Sequence, residues 1–135
     1  MIFIDTSAWL AMSDSRDGNH RAALTLHRDL VGGHSGRLVT TDYVLDETLT
    51  LIRKRSGPEV VRVFVSGLTE SRSVLQIWVT PEHYREAQAV FLDQGKRAWS
   101  FTDCTSFVVM RELGILSAFC FDHDFREAGF ETRPG

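Results

Sequence analysis

The sequence predicts an α/β protein, specifically a three-layer α/β/α sandwich with a mainly parallel central sheet. Two apolar runs, Ile2-Phe3-Ile4 and Leu116 to Phe121, are continuous rather than alternating. That is the pattern of strands covered on both faces. Between the strand-like runs lie segments of helical spacing, so strands and helices alternate along the chain. The 135 residues contain no internal repeat, low-complexity stretch or linker. A single domain over 1–135 is therefore expected, large enough for one core.

Each element has a local reason. After the first strand, Ala8 to Met12 reads as a short helix and Asp14 to Gly18 as a polar turn. Asn19 is placed to cap a helix through about Val31, with Ala22, Ala23, Leu26 and Leu30 at helical spacing. Arg37 to Thr40 is a short strand. Thr41 then caps a helix to about Arg55, whose stripe is Val44, Leu45, Thr48, Leu49 and Ile52. Its closing Arg53-Lys54-Arg55 suits the negative end of the helix dipole. Pro58 opens another amphipathic helix carrying Val60, Val61, Phe64, Val65 and Leu68.

Val74 to Val79 is a strand of mixed polarity. Thr80-Pro81-Glu82 starts the next helix, which closes near Gly95. Lys96 to Phe101 is a loop that interleaves basic and aromatic residues. Either Trp99 or Phe101 dips into the core, or the loop offers an RNA backbone and base a place to rest. Thr102 is expected to cap a helix to about Leu113, stopped by Gly114. The strand from Leu116 runs into Asp122-His123-Asp124, and Phe130 to Thr132 is a last extended piece.

Composition narrows the function classes. The formal charge is −3, from 18 acidic against 15 basic side chains, which argues against gripping nucleic acid by bulk positive charge. The apolar runs are too short to span a bilayer, and the N-terminus lacks the basic region of a signal peptide. Cys104 and Cys120 make no disulfide framework, so a reducing cytoplasm is the expected setting. His20, His27, His34, His83 and His123 show no ligand spacing, which gives no histidine acid–base pair. A haloacid-dehalogenase-like phosphatase would need an Asp-x-Asp frame where the chain has Asp5-Thr6-Ser7. The glycines form no phosphate-cradling loop.

The acids are more informative. Asp5 follows a buried strand, Asp103 opens a helix, Asp122 and Asp124 follow a second buried strand, and Glu47 flanks a helical stripe. Each alone reads equally well as a cap. In a parallel sheet, however, Asp5, Asp103 and Asp122 fall at one edge. Two carboxylates ~4 Å apart repel by roughly 4 kcal/mol at an effective dielectric of about 20. A convergent set therefore calls for a cation or shared protons. Oxygen-only donors favour Mg²⁺ or Mn²⁺ over Zn²⁺, and such a cation can activate water for in-line attack on a phosphate. Asp46 is the weaker neighbour of Glu47, because adjacent helix positions point about 100° apart.

Four segments, Phe3-Ile-Asp5-Thr-Ser7, Val44-Leu-Asp-Glu47-Thr, Ser100-Phe-Thr-Asp103-Cys-Thr-Ser-Phe107 and Phe121-Asp122-His-Asp124-Phe125, occur in this order over nearly the whole chain. In this the sequence resembles the PIN-domain ribonucleases, and especially the VapC-type toxins of bacterial toxin–antitoxin pairs. The resemblance implies a metal-dependent endoribonuclease with Asp5, Glu47, Asp103 and Asp122 as its acidic quartet, and Asp124 as a second candidate beside Asp122. It also implies a homodimer and a VapB-type antitoxin whose C-terminal segment covers the active groove. Ser7 and Thr102 are placed to hydrogen-bond the acids, as in ordinary capping. Lys96, Arg97 and Trp99, with Arg53, Lys54 and Arg55, are the candidates for holding RNA. The competing reading is a catalytically silent module that docks a basic peptide in the acidic pocket.

Overall fold

A computed structural model describes residues 1–33 and 36–135; His34 lies outside them. Among the described residues, five strands are all parallel: β1 (Ile2–Ile4), β2 (Leu38–Thr41), β3 (Val74–Ile77), β4 (Ser117–Phe119) and β5 (Glu131–Arg133). Seven helices flank them: α1 (Thr6–Ser13), α2 (His20–Gly32), α3 (Asp42–Ser56), α4 (Pro58–Glu70), α5 (Pro81–Leu92), α6 (Phe101–Leu113) and α7 (Asp124–Glu127). The α/β/α expectation holds. Among the described residues, no helix is long and apolar enough to cross a membrane.

The strand order is β3-β2-β1-β4-β5. The chain steps from β1 outward through β2 to β3, then returns to the far side of β1 to lay down β4 and β5. The order thus reverses between β1 and β4, and a crevice opens outside the carboxyl ends of strands at such a point. Register brings Ile4 opposite Phe119, and the Asp5 N–H donates to the Phe119 carbonyl at 3.0 Å. Asp5 and the segment leading to Asp122 therefore leave the sheet side by side.

Ile2, Phe3 and Ile4 are buried, as a central strand requires. Beside them, α6 buries all eight residues from Asp103 to Met110. Phe107 is the hub, with ring centroids 5.1 Å from both Trp99 and Phe125, and Phe125 lies 6.0 Å from Phe3. Burying an aromatic ring of this kind is worth about 1.5–3 kcal/mol, so this cluster fixes α6 and α7 against β1. Gly114 closes α6 at φ +67°, a left-handed turn that a side chain resists.

Two local expectations are corrected. Asn19 makes no side-chain cap; its N–H is held by Asp17 Oδ1 at 2.8 Å and its carbonyl starts α2. Thr102 lies inside α6, and Ser100 is the cap: its Oγ accepts from Asp103 N and its own N–H donates to Asp103 Oδ2, both at 3.0 Å. A Ser-x-x-Asp reciprocal pair outcompetes a hydroxyl two residues later because it satisfies two orphan donors. The amphipathic helix expected from Pro58 forms as α4, with Phe64 and Leu68 packed against the edge of the core. Val60, Val61, Phe64 and Leu68 are half-buried, and Val65 is exposed. With Trp9, Met12, Leu24 and Val74, Phe64 lines an apolar groove of about 370 Å³.

Candidate active site

The reversal point gathers carboxylates. Asp5 is the N-cap of α1 and only 3% exposed. Its Oδ2 accepts from the Ser7 N–H at 3.2 Å and from Ser7 Oγ at 2.8 Å. The same Ser7 Oγ accepts the Phe121 N–H at 3.0 Å. One hydroxyl thus ties the end of β1 to the segment that carries Asp122. Asp103 stands in the first turn of α6, where the helix N-terminus favours an anion. Asp122 Oδ1 accepts the Asp124 N–H at 3.1 Å, a tight turn that sets both acids at one corner.

These acids act on one another. Burial pushes the Asp5 carboxyl well above its ordinary range, and the Asp122 charge pushes it further, with Asp103 adding to the effect against the Ser7 hydrogen bonds. Asp103 is pushed up to about 6, first by burial and then by Asp124 and Asp122, against the Ser100 hydrogen bonds. Asp124 is raised by burial and by the Asp122 charge. Such a set is an unneutralised negative centre, and its all-oxygen chemistry fits a hard divalent cation.

Both Asp122 and Asp124 join this centre, Asp122 acting on Asp5 and Asp103, Asp124 on Asp103. Glu47 is half-buried on α3, which packs against both α1 and α6. The largest charges acting on Asp5 and Asp103 are those of neighbouring aspartates. Asp46 is exposed. Asp42, the first residue of α3, accepts the Val79 N–H at 2.7 Å and fastens the segment after β3. Ser7 contacts the acids as expected. The support expected of Thr102 comes instead from Ser100, while the Thr102 carbonyl accepts Thr105 Oγ1 at 2.6 Å.

Of the six RNA candidates, Lys96 and Arg97 are exposed and line a groove of about 870 Å³ with Gln94, His123, Asp124 and Glu127. Trp99 is 7% exposed and T-stacked on Phe107, so it is the core-dipping residue of its loop and offers no face to a base. Arg53, Lys54 and Arg55 are exposed, and Arg55 lies about 12 Å along the α3 axis from Glu47 at the standard rise.

Sequence reasoning passed over one grouping. His123, Asp124 and Glu127 bring a ring nitrogen and two carboxylate oxygens within 4.8 Å of one another. The i,i+4 spacing of His123 and Glu127 was the available signal. Cys104, raised to about 11 by burial, is a packed thiol and not a nucleophile. Cys120, pushed up by burial and by Asp5, is another.

The PIN-domain profile matches residues 2–131, a span that includes every one of these acids. The chain belongs to the PIN-domain family. Within that family it is similar to the 23S rRNA-specific endonuclease VapC20 of Mycobacterium tuberculosis, at 37% identity over 135 residues and 99% of both chains. It is also similar to a VapC ribonuclease of Archaeoglobus fulgidus, at 33% identity over 113 residues, 83% of this chain and 71% of that one. Its structure superimposes on the crystal structure of M. tuberculosis VapC20, described as a sarcin–ricin loop cleaving toxin. The TM-score is 0.86, with 34% identity and 96% of each chain covered. This PIN domain is of the VapC type.

Proposed function

We propose that this PIN domain is an endoribonuclease toxin that hydrolyses RNA phosphodiester bonds with Mg²⁺ or Mn²⁺. The observation that carries the reading is the set of mutually repelling aspartates at the reversal point of the sheet. Asp5, Asp103 and Asp122 would hold the cation, with Asp124 alongside and Glu47 reaching in from α3. When bound, the cation supplies Lewis-acid polarisation of the phosphate and acidifies water.

The chain's own groups do the rest. Ser7 locks the Asp5 carboxylate against rotation and keeps the Asp122 segment in register with it. Ser100 aims Asp103 through its N–H. Ser7 and Ser100 thus fix two carboxylates as oxygen donors before a cation arrives. This scheme makes no use of the substrate 2′-hydroxyl. The 23S rRNA sarcin–ricin loop, named for the M. tuberculosis relative, is the first substrate to try. The family likeness further supports a homodimer acting in the cytoplasm and a VapB-type antitoxin over the groove.

The test is cleavage of total cellular RNA and of a sarcin–ricin stem-loop by purified protein. It is run with Mg²⁺ or Mn²⁺, with EDTA, and with Asp5→Asn. Discrete fragments that vanish with EDTA and in the variant are expected. Cleavage that survives both would sink the acidic-metal mechanism. Folded, antitoxin-free protein that cuts nothing would favour the docking-module reading.

A further inference from the structure

We infer that the groove between the 94–98 loop and α7 is the track for the RNA backbone beside the acidic centre, with Arg97 its phosphate contact and Gln94 the residue that positions Arg97. The inference rests on the nuclease reading and adds a subsite to it.

Three observations carry it. The groove opens directly off the acidic centre, because Asp124 belongs to both. Its walls differ in sign: Lys96 and Arg97 face Asp124 and Glu127 across it. A phosphodiester chain repelled by the carboxylates must register against the basic wall. That local arrangement offsets a net charge of −3 that would otherwise disfavour RNA.

The basic wall is also built rather than loose. The Gln94 side chain pairs with both backbone groups of Trp99, its Oε1 accepting the Trp99 N–H at 2.7 Å and its Nε2 donating to the Trp99 carbonyl at 3.2 Å. Nε2 donates in addition to the Phe91 carbonyl at 3.0 Å, and the Gln94 carbonyl accepts the Arg97 N–H at 3.2 Å. Gly95 supplies the left-handed φ of +65° that lets the chain turn between them. The clamp seats Trp99 on Phe107, and the Arg97 guanidinium lies 4.8 Å above the Trp99 ring. Trp99 thus serves RNA through the arginine it carries, as a cation–π platform and not as a base-stacking surface. An arginine held over a ring in this way keeps outer N–H groups for a phosphate at lower entropic cost than a free side chain.

The decisive measurement is RNA affinity in an Asp5→Asn background, which is intended to block cleavage. The probes are a sarcin–ricin stem-loop and a poly(U) strand of equal length, each titrated across salt. Arg97→Ala should weaken both probes roughly tenfold, the size of one charge-assisted contact, because phosphate contacts carry no sequence information. It should also flatten the salt dependence by about 0.7–0.9 in log–log slope. Arg97→Lys should keep the slope and lose part of the affinity. Gln94→Ala should weaken binding severalfold in the parent but by less than about twofold in the Arg97→Ala background, since a positioning residue then has nothing left to position. Gln94→Glu, which still accepts the Trp99 N–H but cannot donate, should fall between Gln94→Ala and the parent.

In the active protein the Gln94 variants should raise KM and leave kcat at saturating RNA near that of the parent. Additive losses from Gln94→Ala and Arg97→Ala would overturn the positioning role. Arg97→Ala with unchanged affinity and slope, in protein that still binds and cuts RNA, overturns the subsite alone. A parent protein that neither binds nor cuts either RNA overturns the subsite and the nuclease reading together.

Discussion

Replacing Asp103 by asparagine should make the metal-free protein more stable while destroying its response to metal. Asparagine keeps an oxygen for the Ser100 N–H and so preserves half of the capping pair. What it removes is a charge held in a buried site beside Asp122 and Asp124. The rise of Asp103 from 3.8 to about 6 corresponds to about 3 kcal/mol at roughly 1.36 kcal/mol per pKa unit. The folded protein binds this proton more tightly than the unfolded chain, so wild-type stability declines as pH rises from about 4 through about 6. The full penalty is present above that window and absent below it.

The gain from Asp103→Asn should therefore be about 2–3 kcal/mol at pH 7.5, or roughly 5–10 °C in Tm for a domain of this size. It should fade towards zero at pH 4. Mg²⁺ or Mn²⁺ should raise the Tm of the wild type at pH 7.5 by mass action and close the gap. Thermal unfolding by circular dichroism across pH, with and without cation, reads all of this. A metal-free Asp103→Asn protein that is less stable than wild type, by an amount independent of pH, would refute the reasoning.

Ser7→Ala leaves the buried Phe121 N–H without its acceptor and Asp5 without its donor, so it should cost about 1–3 kcal/mol in urea unfolding. RNA cleavage should fall with it, and Ser7→Thr should restore part of both. Phe107→Ala empties the aromatic hub and should cost about 3–5 kcal/mol, with near-ultraviolet dichroism reporting the loosened Trp99. His83 closes a capping box with Thr80 and reaches Glu112 from a buried position, bracing α5 on α6. His83→Ala should cost about 1–2 kcal/mol without changing the pH profile of cleavage.

Much of the fold was legible in the sequence because its signals are local. The unbroken run Ile2-Phe3-Ile4 could only be a covered strand, and Thr41, Pro58, Thr80 and Gly114 mark helix ends through capping chemistry that needs no partner from elsewhere. The acids at the ends of β1 and β4 and at the start of α6 were visible for the same reason. Local signals also misled: Thr102 reads as the cap of α6, whereas Ser100 holds that place through its reciprocal pair with Asp103.

Tertiary structure decided what depends on distance between segments. It alone set the strand order, and with it the reversal between β1 and β4 that turns separate aspartates into one charged centre. It brought Asp122 and Asp124 in beside Asp103, and turned Trp99 inward to carry Arg97. It also left the apolar stripe of α4 on the rim of a groove, although its spacing matches that of a core helix. Sequence determines which side chains an element presents on each face. Which faces meet, and so which charges repel, is fixed only when the sheet orders its strands.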